Sequence, residues 1–305
     1  MKYIDIGKSG MKASAISLGC MRIPSLSEKE LENHVKTALE CGVNHFDHAN
    51  IYGGGNCEKL FGDLLSKDKS LREKMIIQSK CAIRNGQYDF SKEHILESVD
   101  GILSRLGVEY LDTLLLHRPD ALMEPEEVAE AFDTLEKAGK VKTFGISNFN
   151  TLQTKLLQAS LKQKLIVNQL QFSVMHTGLI DMGICTNTKF AGSVDRDGSV
   201  LDYCRLKDIT VQAWSPFQFG FFEGTFIDND KFPELNKALA ECGEKHGVSK
   251  TTIATAWILR HPAKMQVIAG TTNQNRLKEI CAAADIEISR EDWYKIYLSA
   301  GNELP

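Results

Sequence analysis

Eight short apolar runs, each followed by a stretch with helical spacing, narrow the folds open to this chain more than any other feature. The runs lie at 16–19, 44–47, 75–80, 110–117, 141–147, 166–171, 209–214 and 265–269. They are largely continuous rather than alternating, as strands covered on both faces are. Between and after them, helical patterns occupy 28–41, 56–66, 91–106, 125–138, 150–160, 199–207, 233–246, 249–260, 273–283 and 289–299. Several ends are marked. Ser27-Glu-Lys-Glu30 is a capping box, Gly42 stops the helix it starts, and Pro125 suits a first helical turn. A strand–helix crossover repeated eight times closes into an α/β-class (β/α)8 TIM barrel, expected here as one domain over residues 1–305 with extra helices at its C-terminal end. The competing architecture is a doubly wound open sheet, but no G-x-G-x-x-G follows the first run. A small hairpin from 2–6 and 11–13, turned by Lys8-Ser-Gly10, should precede the barrel.

Charge and composition remove several partners. A formal net charge of −4 gives no support to a nucleic-acid or anionic-membrane partner. No apolar run approaches the ~18 residues needed to span a bilayer, and the first residues lack signal-peptide character. The eight cysteines are scattered without a C-x-x-C pair, as expected of reduced, mostly buried thiols in a cytoplasmic protein.

In a parallel barrel all strand ends of one sense share a face, so residues far apart in sequence meet there. The second, third and fourth runs deliver Asp47 with Tyr52, Lys80 and His117 to that face. Taken singly, the aspartate reads as a loop residue, the tyrosine as packing, the lysine as surface and the histidine as a satisfied loop side chain. Taken together they can protonate an oxygen. An ammonium ~4 Å from a phenol favours the phenolate by up to ~4 kcal/mol at an effective dielectric of ~20, so the Tyr52 pKa is expected to drop by roughly one to three units. Asp47 would keep Lys80 charged and oriented, and His117 could donate to a carbonyl oxygen. His45-Phe-Asp-His48 places two histidines beside a carboxylate, but without the helical spacing of a zinc protease.

The blocks that carry these residues resemble those of the aldo-keto reductases over nearly the full length. FDHANIYGGGNCEKLFG (46–62) is similar to that family's Asp-x4-Tyr block with its glycine and following helix. Lys80 in IIQSK and His117 in LLLHRPD match the rest of its tetrad, and GISNF (145–149), NQLQF (168–172) and AWSPF (213–217) match its cofactor blocks. The HRPD run resembles a bacterial branch. The resemblance implies reduction of an aldehyde or ketone by hydride transfer from a nicotinamide. Tyr52 would be the proton donor, Lys80 and Asp47 would tune it, and His117 would orient the carbonyl. It further implies that Ser147, Asn148 and Gln169 hold the nicotinamide carboxamide and that Trp214 stacks on the ring where many members have tyrosine. Ser215 and Phe217 would line the pyrophosphate path, with Gly19 and Cys20 also at the cofactor and Gly270, Thr271, Thr272, Asn273 and Arg276 at its adenosine end. Asn273 stands where the family commonly has a lysine for the 2′-phosphate. The implied cofactor is therefore NADP(H) by a modest margin, and NAD(H) remains open. No metal is implied.

Two long segments, His176–Gly198 and Gln218–Lys231, follow strands and should sit on the same face as the tetrad. The second carries Phe219, Phe221 and Phe222, which together with Phe217 would act as a lid or as loop packing. The expected partner is a small carbonyl substrate, and the expected state a monomer or weak homo-oligomer. Other readings stay open: a nucleotide-sensing regulatory subunit on the same fold, or a metal-dependent barrel hydrolase.

Overall fold

In the computed structural model, which describes residues 1–305, the eight runs form parallel strands closed into a barrel in sequential order. They are β1 (Ile16–Gly19), β2 (His45–Asp47), β3 (Ile76–Cys81), β4 (Leu111–Leu116), β5 (Val141–Ser147), β6 (Leu165–Gln171), β7 (Thr210–Trp214) and β8 (Gln266–Ala269). The expected N-terminal hairpin forms from Tyr3–Asp5 and Lys12–Ser14. It lies at the barrel's far end, where the Gly7 N–H donates to Thr210 Oγ1 and Lys164 Nζ reaches the Gly7 carbonyl. Ile6, Ala13, Leu115, Ile166 and Val167 form a small apolar cluster there.

The main helices are α1 (Glu28–Glu40), α2 (Asn56–Lys67), α3 (Lys92–Leu106), α4 (Pro125–Lys137), α5 (Thr151–Ser160), α6 (Val200–Leu206), α7 (Pro233–His246), α8 (Lys250–Leu259), α9 (Gln274–Ala282) and α10 (Arg290–Ser299). Their ends follow local chemistry. Ser27 and Glu30 form the expected capping box, and Asn150 with Gln153 forms a second. Pro125 occupies the first turn of α4, where a missing N–H costs nothing. Outward-facing strand residues meet the helices. Phe144 of β5 stacks on Phe132 of α4 with centroids 4.0 Å apart, a contact whose truncation to alanine would cost about 3–5 kcal/mol. Gly62 of α2 lies so close to the Arg105 and Leu106 backbone of α3 that any Cβ would collide. At the C-terminal end, Trp257 of α8 and Trp293 of α10 stack 4.7 Å apart at 6°, and each indole N–H donates to the other's carbonyl at 3.0 Å.

The two long segments carry more structure than the sequence reading gave them. His176–Gly198 contains a helix at Gly178–Ile184 and a 3-10 turn at Ala191–Ser193, and Gln218–Lys231 contains a hairpin pairing Gln218–Phe219 with Gly224–Thr225. A further hairpin, Ile83–Arg84 with Gln87–Tyr88, follows β3. Elements of two to seven residues are too short to reveal a period, which is why the sequence did not show them. All eight cysteines are free, and all but Cys41 are buried. No helix is long and apolar enough to cross a membrane.

Candidate active site

Side chains alternate along a strand, so the residues on either side of Ser79 point into the barrel while Ser79 itself faces the helices. Asp47 ends β2, Lys80 lies one residue before the end of β3, and His117 follows β4. Tyr52 opens a 3-10 turn through Gly55, where Gly53, Gly54 and Gly55 all have positive φ. That backbone brings the phenol back over the barrel after only five residues. Lys80 Nζ lies 2.7 and 2.8 Å from the two Asp47 oxygens, 2.8 Å from the His48 carbonyl and 3.2 Å from the Tyr52 hydroxyl. The Tyr52 and His117 rings meet edge to face at 5.9 Å. The four residues therefore converge.

Burial opposes charge on Asp47 and Lys80, but each outweighs that penalty for the other. Asp47 is held below the ordinary carboxylate range by the Lys80 charge and by hydrogen bonds from Lys80, Gln78 and Gln169. Lys80 is held above the usual lysine value by Asp47 and Tyr52. Tyr52 corrects the sequence expectation. Burial raises its pKa, and the pull of Lys80 does not overcome this, because the Asp47 carboxylate on the other side of the ammonium also disfavours a phenolate. The phenol is thus fully protonated at neutral pH. Burial also pushes His117 down to about 3, so its imidazole is neutral. Its Nδ1 is buried with no partner, and the N–H on Nε2 is the tautomer that leaves no buried donor unpaired.

A column of amides supports the pair from below. Gln78 Nε2 donates to Asp47 Oδ1 at 2.7 Å and to Gln212 Oε1 at 2.8 Å, Gln212 donates on to Gln266 at 2.8 Å, and Gln266 to the Ser14 carbonyl at 2.6 Å. On the helix side, buried Glu58 of α2 accepts from Ser79 Oγ at 2.6 Å and from Arg105 at 2.8 and 2.9 Å, fixing the strand that carries Lys80. The sequence reading missed these residues. A glutamine in the same inward phase of β3, β6, β7 and β8 was the signal that could have found them.

Of the residues implied for a cofactor, one group meets at the ends of β5, β6 and β7. Ser147 Oγ donates to the Gln169 carbonyl at 2.9 Å, Asn148 Nδ2 to Ser147 Oγ at 2.8 Å, and Trp214 Nε1 to Asn148 Oδ1 at 3.2 Å. Gln169 spends its amide hydrogens on Asp47 at 3.1 Å and Gln212 at 3.0 Å, so what it can offer a carboxamide is its oxygen. Trp214 is half-buried, with Phe222 stacked at 6.1 Å and Phe221 edge-on at 6.3 Å. Ser215 has φ 52° and, with Phe217, leads into the short hairpin.

The second group lies where β8 meets β1. A Cβ on Gly19 would come within 3.0 Å of Ile268 Cγ2, so the two strands exit in close contact. Cys20 corrects the sequence expectation: it is fully buried, with its thiol directed to the Leu18 carbonyl, and supports the mouth instead of facing a ligand. Gly270, Thr271 and Thr272 lead to Asn273, which caps α9 by accepting the Arg276 N–H at 2.9 Å. Arg276 is exposed and makes no ion pair, and Glu279, one turn further along α9, accepts from Ser249 at 2.9 Å instead. Arg22, which the sequence reading did not single out, donates to the Gly270 carbonyl at 2.9 Å. Two guanidinium groups and free helix-start amides suit the phosphate-bearing adenosine end of a nicotinamide dinucleotide, and the Ser147–Asn148–Gln169 cluster suits its carboxamide.

His45 and His48 stay outside this chemistry. His45 Nδ1 meets Ser17 Oγ at 2.7 Å, and the His48 ring packs on Phe61 at 4.6 Å; burial pushes them to about 4 and about 3. A flank cavity of about 460 Å³, lined by Leu179, Ile180 and Trp293 among others, includes none of the tetrad.

Comparison with known proteins agrees with this geometry. Residues 15–297 match the model of the aldo/keto reductase family. The chain is 36% identical over 293 residues to the uncharacterized oxidoreductase YcsN of Bacillus subtilis, covering 92% of this chain and 91% of that protein. It is 33% identical to the oxidoreductase YdhF of Escherichia coli, with both chains covered in full (100%), and 32% identical to a 6-dehydroglucose reductase of Agrobacterium fabrum, over 96% of this chain and 97% of that one. Among solved structures, the thermostable aldo-keto reductase Tm1743 superposes with a TM-score of 0.77 at 24% identity, over 98% of this chain and 100% of that chain, a likeness of fold. A chain with this barrel, this convergence of residues and these relatives is an NAD(P)H-dependent oxidoreductase and belongs to the aldo/keto reductase family.

Proposed function

We propose that the protein reduces aldehydes or ketones to alcohols with Tyr52 as the proton donor, and that it prefers NADPH modestly over NADH. The observation that carries this reading is the Lys80 ammonium held between the Asp47 carboxylate and, at 3.2 Å, the Tyr52 hydroxyl. When bound, the reduced nicotinamide supplies the hydride. The chain's own residues do the rest. The neutral His117 imidazole and the Tyr52 hydroxyl donate to the substrate oxygen and set its orientation. As negative charge grows on that oxygen, it becomes a far stronger base than a phenolate, so Tyr52 can pass its proton on despite its raised pKa. The phenolate left behind sits against the Lys80 ammonium, which stabilises the charge where it develops. Ser147, Asn148 and Gln169 orient the carboxamide, and Arg22 and Arg276 face the phosphates. Asn273 in place of a lysine limits discrimination by the 2′-phosphate to Arg276 and the α9 amides, an added field of roughly 0.3–1 kcal/mol. The HRPD run supports a place in a bacterial branch of the family, acting on small molecules in the cytoplasm as a monomer or weak homo-oligomer.

The test is oxidation of NADPH and NADH with short aldehydes, by the wild type and Tyr52→Phe. Turnover by the wild type and a loss of at least ~10²-fold in the variant, with cofactor affinity unchanged, is expected. Retention of more than about a tenth of turnover, with chemistry rate-limiting, refutes the assignment of Tyr52.

A further inference from the structure

Arg118 follows His117 directly, and its charge is not spent within the protein. Its Cζ lies 5.7 Å from the Trp214 ring centroid and 6.0 Å from that of Phe221, so it reaches from the end of β4 across to the end of β7. It makes no ion pair and no side-chain hydrogen bond, and Arg196, Arg276 and Arg290, which also make none, are all exposed whereas Arg118 is half-buried. Asp120, two residues on, does not neutralise it: its oxygens accept from Phe90 N at 3.0 Å and Leu122 N at 2.8 Å. The aromatic faces hold the guanidinium by cation–π attraction but satisfy none of its five N–H donors. Tyr52, Tyr88 and His117 lie within electrostatic reach, and burial works against the charge without removing it.

A half-buried guanidinium with open donors beside the Tyr52 and His117 pair is arranged to receive an anion. We propose that the preferred substrates are short carbonyl compounds that carry a carboxylate or phosphate a few bonds from the carbonyl, and that Arg118 is the residue that selects them. The proposal rests on the carbonyl-reductase reading of the site. The planar fork can hold two oxygens of such a group while the carbonyl lies at Tyr52 and His117. A neutral aldehyde of the same length leaves those donors unpaired in a partly desolvated mouth. The selection should therefore be at least roughly tenfold.

The experiment compares kcat/KM for matched pairs: succinic semialdehyde against butyraldehyde, and glyceraldehyde 3-phosphate against glyceraldehyde. Wild type, Arg118→Gln, Arg118→Lys and Arg118→Glu are assayed with NADPH. The wild type is expected to favour the anionic member of at least one pair tenfold or more, and the pair that responds identifies carboxylate or phosphate. In Arg118→Gln that ratio should fall to near unity through KM of the anionic member, in Arg118→Glu it should invert, and Arg118→Lys should restore part of it. Because the readout is a ratio within one enzyme, a general loss of activity cancels. A wild-type ratio near unity in both pairs, or a ratio unchanged in Arg118→Gln, overturns the proposal. If no aldehyde is turned over at all, the carbonyl-reductase reading is what has failed. Arg118 is then judged by calorimetric binding of 4-hydroxybutyrate and of glycerol 3-phosphate: tighter binding of either by wild type than by Arg118→Gln supports it, and equal binding of both overturns it.

Discussion

Replacing Lys80 by methionine should leave the barrel with a carboxylate it cannot keep charged. Lys80 is fully buried and Asp47 is 2% exposed, with Nζ and Oδ1 2.7 Å apart. At an effective dielectric of ~20 that separation corresponds to ~6 kcal/mol of attraction, partly offset by the cost of bringing both charges indoors. Removing only the cation leaves Asp47 with the amide hydrogens of Gln78 and Gln169, and measured losses for such cuts are about 3–5 kcal/mol. For a chain of this size the melting point should fall by roughly 5–8 °C. The pH dependence is more diagnostic. In the wild type the folded Asp47 pKa is depressed, so its contribution is present above the unfolded value of ~3.9 and lost as pH falls through the folded one. The folded Lys80 pKa is raised, so its contribution is present below ~10.4 and lost as pH rises through the folded value. Without Lys80 the Asp47 pKa moves above its unfolded value, and the sign reverses: the variant's deficit grows from pH 5 to pH 8. Urea unfolding of both proteins at the two pH values measures this, and Asp47→Asn with Lys80→Met should recover part of the loss and flatten the pH dependence. A deficit below about 1 kcal/mol at pH 8, or one independent of pH, would refute the argument.

Arg276→Ala should narrow the ratio of NADH to NADPH dissociation constants toward unity, because Arg276 is an unpaired guanidinium on α9, the helix that Asn273 caps; titration of both cofactors measures it, and an unaltered ratio excludes the role. Arg105→Gln should cost about 3–5 kcal/mol by stranding Glu58, which is fully buried, and a Glu58→Gln partner change should restore much of it; additive losses in that double-mutant cycle would count against the pairing. Burial holds His45 at about 4 and His48 and His117 at about 3, so each contributes stability above the unfolded value of ~6.5 that is lost as pH falls below it, at up to ~1.4 kcal/mol per pH unit. Stability should therefore fall from pH 7 to pH 5 while carboxylates are still ionised, and a urea midpoint that stays level over that range contradicts it.

The barrel was legible because eight buried strands and their helices each leave a pattern several residues long. The tetrad was legible because strand ends share a face, so Asp47, Lys80 and His117 needed no contact map. What the sequence concealed depends on three-dimensional company. The direction of the Tyr52 shift turned first on its burial, which the Lys80 charge, answered by Asp47, does not offset. Cys20 reads as a strand-end residue like Gly19 but points into the core. Arg118 lay inside a quoted motif, yet only the commitment of Asp120 to Phe90 and Leu122 shows that its charge is unspent.

The indole pair at Trp257 and Trp293 gives the molecule an optical division of labour. The chain has three tryptophans, and two of them are locked face to face at 4.7 Å inside the seam between α8 and α10. Rings that close couple their strong far-ultraviolet transitions, so the far-ultraviolet circular dichroism should carry a signed couplet that exists only while the C-terminal helix is docked. Trp214 stands alone at the mouth, half-exposed under Phe221 and Phe222. Its emission lies where a reduced nicotinamide absorbs, and a bound dinucleotide should quench it by energy transfer. One cuvette can thus follow the docking of the last helix and the filling of the site as separate signals, with no label added.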